Sequence, residues 1–125
     1  MSNKAILQKI NDAFAQNDTE GFLAHCTDDI VFEMVGHTSV RGKENVRSFM
    51  SEMSSDSPPR FTIDRVIEEG DNAVCTGDME MEVDGEPAAY TYCDMYRFRD
   101  GKAAELRAFV IKQQPAGEEA GRAAA

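Results

Sequence analysis

The sequence predicts a single α+β domain, helices first and a curled β-meander after, on three observations. Apolar residues recur at helical spacing up to Met53, and the period changes to two from Phe61 onward. The strand-like runs that follow are separated by Gly-Asp or Asp-Gly pairs, which suit tight hairpins. A chain of 125 residues is long enough for one hydrophobic core.

Each element follows from local pattern. Ile6, Leu7, Ile10, Ala13 and Phe14 make one stripe, so the first sixteen or so residues form an amphipathic helix. Asn17 and Asp18 punctuate it, and Asp18 caps a second short helix, TEGFLAHC, that carries His25 and Cys26. DDIVFEMVG reads as a strand with Ile30, Phe32 and Met34 on one face, and VGHTSV as the loop after it. A third helix follows Gly42 with Val46, Phe49, Met50 and Met53 as its buried stripe, and the prolines of SSDSPPR end it. Four strands, 61 to 69, 73 to 83, 88 to 99 and 103 to 113, pair antiparallel in sequence order. PAGEEAGRAAA has no large apolar residue and reads as a mobile tail at 115–125, leaving 1–114 as the domain.

Strand parity assigns faces. On the second of the four strands Cys75, Met79, Met81 and Val83 oppose Thr76, Asp78, Glu80 and Glu82. On the third, Tyr90, Tyr92, Asp94, Tyr96 and Phe98 share one side, which sets a carboxylate inside an aromatic run. On the fourth neither face is wholly polar, so one face is expected under the helices and the other against a second subunit.

Composition excludes several function classes. Thirteen basic against twenty-three acidic side chains leave a net charge of −10, which repels phosphate backbones and anionic lipid surfaces. Nucleic acid and membranes are therefore rejected as partners. MSNKAILQKINDAF lacks the continuous apolar core of a secretion signal, and a cytoplasmic setting is expected. Cys26, Cys75 and Cys93 are odd in number and widely spaced, and read as buried thiols rather than a disulfide framework or a metal site. No Gly-rich phosphate loop, G-x-S-x-G elbow or H-E-x-x-H pattern occurs, and no cofactor is expected.

The order of these segments resembles a known family. Helix, short helix, a strand opening with DD, a G-K-x-x-V helix, then D-x-Y-R-F-x-D-G-K and L-R-A-F, is similar to the ketosteroid isomerase and polyketide cyclase (SnoaL-like) group, over roughly residues 5 to 114. That group belongs to the superfamily named after nuclear transport factor two. The resemblance implies three N-terminal helices packed in a strongly bent antiparallel sheet, a cone-shaped α+β barrel that dimerises through the outer face of its sheet. It also implies an apolar interior that takes a small apolar ligand.

Carried over residue by residue, the ketosteroid isomerase site survives in part. The oxyanion tyrosine falls at Ile10, the general-base aspartate at Met34 and a supporting tyrosine at Met50, while the oxyanion-hole acid is retained as Asp94. Methionine accepts no proton at neutral pH, so steroid isomerisation by that route is excluded. Asp94 is the leading candidate, as an acid or hydrogen-bond donor to a ligand carbonyl or hydroxyl, and His37 is the candidate imidazole at the cone's mouth. The wall implied by the resemblance comprises Ile10 and Phe14 from the first helix, Phe32 and Met34 from the first strand and Met50 from the third helix. Met79, Met81, Tyr92, Tyr96, Leu106, Ala108 and Val110 complete it from the meander. Two functions fit: a pocket protein, with cofactor-free isomerase, cyclase or lyase chemistry if it turns its ligand over, or a non-catalytic dimeric module with a filled interior.

Overall fold

The computed structural model describes residues 2–53 and 59–113, the Val83 side chain excepted. The tail expected at 115–125 and most of the proline segment lie outside the described residues. The first helix, α1, runs Asn3–Ala15; Ser2 caps it by accepting a hydrogen bond from the Ala5 N–H. It ends in a Schellman motif: Asn17 takes φ 58°, the Asp18 N–H bonds the Ala13 carbonyl at 2.8 Å and the Asn17 N–H bonds that of Phe14 at 3.1 Å. Asp18 then caps α2, Thr19–Leu23, accepting from the Gly21 N–H at 3.0 Å. This second helix is shorter than the sequence pattern suggests. His25 lies in a turn and Cys26 already opens β1, because the Ala103 N–H bonds the His25 carbonyl and draws the chain into the sheet.

Strand β1 spans Cys26–Met34 and β2 spans Thr38–Arg41, an additional short strand where a loop is expected from VGHTSV. Asp28 and Asp29 sit within β1 at an irregularity between Cys26 and Val31, and both are exposed. Asp29 meets Arg99 at 2.7 Å, and this hydrogen bond holds its carboxyl down at about 2. Helix α3 follows, Lys43–Met53, with Val46 buried and Phe49 and Met50 half-buried. Met53, expected in the stripe, is 52% exposed at the last residue of the helix.

The meander comprises β3 (Arg60–Glu69), β4 (Asn72–Val83), β5 (Glu86–Arg99) and β6 (Lys102–Lys112). The two-residue turns Asp84-Gly85 and Asp100-Gly101 have positive φ at both positions, the type I′ geometry that matches strand twist. The six strands lie in the order β2-β1-β6-β5-β4-β3. The expectation of a wholly antiparallel sheet is corrected by one pair: β1 runs parallel to β6, through Phe32↔Leu106 and Met34↔Ala108. The sheet is an open one with edges at β2 and β3, not a closed barrel. Helix α1 packs on β3 and β4 while α3 packs on β1 and β2, so the helical layer spans the hollow between the two ends of the bent sheet.

The core joins Leu7 and Ile10 of α1, Phe22 and Leu23 of α2, Ile30 of β1, and Tyr96, Phe98 and Leu106 of the sheet. Each such fully buried apolar side chain contributes about 1.5–3 kcal/mol. One glycine is dictated by packing. A Cβ at Gly77 would lie 1.9 Å from the Thr62 carbonyl oxygen and 2.8 Å from the Tyr92 hydroxyl oxygen, where β4 pairs with β3 next to an irregularity between Ile63 and Arg65. Gly77→Ala is accordingly expected to destabilise the domain by about 2–3 kcal/mol. Urea unfolding checks this; an unchanged midpoint would show that β3 yields freely.

Candidate functional site

Between the concave sheet and the helices lies a half-open cavity of about 210 Å³. The Schellman turn places Phe14 in its wall and Asn17, Asp18 and Thr19 on its rim. Phe32 and Met34 enter from β1, Met50 and Met53 from α3, and Pro59 and Phe61 from the start of β3. Strand β4 contributes Met79 and Met81, β5 contributes Tyr92 and Asp94, and β6 contributes Leu106, Ala108 and Val110. Side chains from both ends of the sheet therefore meet in one space, which only a strongly bent sheet allows.

Among the described residues that line the cavity, the charged ones are Asp94 on the inner wall and Asp18 on the rim. Asp94 is 9% exposed, and its carboxyl makes no hydrogen bond or ion pair with any described residue. Burial alone pushes its pKa up to about 7. No lysine, arginine or histidine lines the cavity among the described residues.

The phenol of Tyr92 is committed elsewhere. Its O–H donates to the Thr62 carbonyl at 3.0 Å, tying β5 to β3 across β4, and its ring stands edge-on to Phe61 with centroids 5.7 Å apart. Burial raises its pKa above the ordinary value. The thiol of Cys75, paired across from Asp94, accepts from Asn11 Nδ2 at 3.4 Å and is also pushed up by burial.

Three other candidates stand apart from the cavity. Ile10 is fully buried in the core beneath α1, Tyr96 is buried against Phe98 at 5.8 Å, and His37 is exposed in the turn between β1 and β2. None of the three lines the cavity. The Tyr96 hydroxyl makes no hydrogen bond among the described residues. Sequence reasoning missed the rim, Asn17, Asp18 and Thr19, together with Pro59 and Phe61, although the punctuation by Asn17 and Asp18 was its available signal.

A family model described as a SnoaL-like domain matches residues 7–106. The chain belongs to the SnoaL-like family. No curated protein shows a significant sequence match to it. Among solved structures, an NTF2-like protein of unknown function from Cytophaga hutchinsonii is 25% identical, with a TM-score of 0.72, over 88% of this chain and 100% of that one. An LEH-like epoxide hydrolase of M. tuberculosis is 18% identical with a TM-score of 0.75, over 85% of this chain and 80% of that one. TerC, co-crystallised with polyporic acid, is 21% identical with a TM-score of 0.74, over 94% and 95% of the two chains. These likenesses establish the fold.

In this SnoaL-like domain the acid at β5 has a thermodynamic signature. The unfolded chain releases the Asp94 proton near the ordinary value of about 3.9, the folded chain near 7, so between them the folded state binds more protons. Stability contributed at this position therefore falls as pH rises through that window and is level above it. Three units correspond to about 4 kcal/mol as an upper figure. Asp94→Asn is expected to exceed wild type in stability above pH ~7 and to lose that margin by pH ~4. Denaturant unfolding across pH checks it; a margin independent of pH would refute the raised pKa.

Proposed function

We propose that this SnoaL-like domain binds a small, mostly apolar molecule whose carbonyl or hydroxyl meets Asp94. The observation that carries the reading is a buried carboxyl, unpartnered among the described residues, on the wall of an open apolar cavity. An engineered apolar cavity of about 150 Å³ takes one benzene ring, so about 210 Å³ suits one ring with a few substituents. The protonated acid donates to a carbonyl, and the ionised acid accepts from a hydroxyl. An acid near pH 7 is also matched to proton transfer at neutral pH, which supports cofactor-free isomerisation, cyclisation or elimination wherever the ligand is a substrate. The epoxide hydrolase and the polyporic acid complex among the structural neighbours agree with a ligand site on this fold. The rival, a module with its interior filled by its own side chains, is disfavoured by the open volume.

The test is a thermal-shift panel of one-ring ketones and alcohols on wild type, Asp94→Asn and Ala108→Leu. Ala108 stands opposite Asp94 on β6, so leucine there fills the space the ligand would occupy. Compounds that raise the wild-type Tm by a few degrees are expected to lose that effect in both variants. Equal shifts in all three proteins would sink the reading.

A homodimer through the outer sheet face is part of the same proposal. Met95 and Ile111 are 42% and 68% exposed there, on either side of the cross-strand pair Cys93↔Phe109. Exposed apolar residues grouped in this way mark interaction surfaces. No described helix is long and apolar enough to cross a membrane, and the three free cysteines support a reducing, cytoplasmic setting. Sedimentation at micromolar concentration is expected to show a dimer that Ile111→Glu converts to monomer; a wild-type monomer would overturn it.

A further inference from the structure

We propose that the cavity also receives lipophilic ammonium cations, with the Asp94 carboxylate as their counter-ion and an arc of aromatic rings as their wall. The inference rests on Asp94 facing a ligand cavity, as above, and adds a ligand class of opposite charge character to the neutral carbonyl or hydroxyl compounds.

The arc runs from the rim inward. Phe14 of α1 lies 6.5 Å from Phe61 of β3, and Phe61 lies 5.7 Å edge-on from Tyr92 of β5, centroid to centroid. Tyr92 is two residues from Asp94 on the same strand face, so the rings lead to the carboxyl. Phe32 adds a fourth ring from β1. Aromatic faces carry negative potential and attract cations, most strongly where water is excluded. Asp18 lies on the rim with its carboxylate capping α2, and no cationic side chain lines the space among the described residues. An overall charge of −10 draws cations toward the molecule and repels anions.

The decisive feature is that Asp94 has no partner among the described residues. A carboxylate buried with neither hydrogen-bond donor nor counter-ion is unfavourable, and a cation placed beside it removes both deficits at once. The titratable groups on which Asp94 acts are the phenols of Tyr92 and Tyr96 and the thiols of Cys75 and Cys93, each raised first by burial and further by the Asp94 charge, so that they stay neutral. Desolvation alone raises the acid. A bound ammonium group therefore favours the ionised state and expels the Asp94 proton, whereas a ketone favours the protonated state and takes a proton up. The two ligand classes thus carry opposite proton balances at neutral pH.

Benzylamine and benzyl alcohol are matched in shape and differ in charge, and benzoate serves as the anionic control. Titration calorimetry on the wild-type protein at about pH 8 is expected to show benzylamine binding about tenfold more tightly than benzyl alcohol, with benzoate not bound. Near neutral pH, comparison of buffers with different ionisation enthalpies is expected to show net proton release on benzylamine binding. The preference for the amine is expected to shrink toward about pH 5.5 and to vanish in Asp94→Asn. Benzyl alcohol binding as tightly as benzylamine, or amine binding without proton release, overturns the inference and leaves the neutral-ligand reading standing. Binding of none of these compounds, nor of the one-ring ketones, overturns both. The calorimetric proton balance is measured on wild type, so the inference remains refutable even if the variant fails to fold.

Discussion

The register of β5 is the constraint on which the rest of the site depends. This strand is hydrogen-bonded along both edges, to β4 through Cys75↔Asp94 and to β6 through Asp94↔Ala108. A slip of one residue would turn Tyr96 and Phe98 out to water and Met95 and Arg97 inward. The apolar area at stake locks the alternation, and Asp94 is carried to the interior with its aromatic neighbours. The carboxyl is buried because its strand cannot do otherwise, and not because any group inside stabilises it.

That arrangement sets stability against function. The hollow of a bent sheet needs a cover, and α1 and α3 pack near its two ends while leaving open space between them. A better-filled interior would strengthen the core, and a donor beside Asp94 would ease its desolvation. The domain instead keeps an open volume beside a high-energy carboxyl, the arrangement found where a protein holds a site ready for a ligand. Flexible methionines on three elements, Met34, Met50, Met79 and Met81, suit a wall that adapts to its occupant. Met53 at the mouth extends the same character to the surface.

The legibility of the molecule differs by element. Strands β3 to β6 were readable almost to the residue, because period-two alternation and the Asp-Gly turns are local signals. Asp94 was placed on its aromatic face by parity, and most of the expected wall, from Phe14 to Val110, does meet in one space. The short strand β2, the early end of α2 and the parallel β1·β6 pair were not readable, since each depends on a partner distant in the chain. Ile10 shows the same limit within the site. Transfer by family pattern assigned it to the wall, whereas α1 rotates it into the packed core and presents Phe14 to the cavity. Tyr92 was expected in the wall, and only the tertiary structure commits its phenol proton to the Thr62 carbonyl.

The sequence by itself determined the element order, the hairpins, the acidic surface and which side chains share a strand face. These are consequences of chain-local periodicity and composition. Only the tertiary structure decided that the sheet bends until β1 and β3 line the same space, that a cavity remains there, and that Asp94 stands in it without a partner among the described residues. The reason is physical: burial raises a carboxyl's pKa according to what all the surrounding elements exclude from it, and no local stretch of sequence specifies what lies on the far side of a cavity.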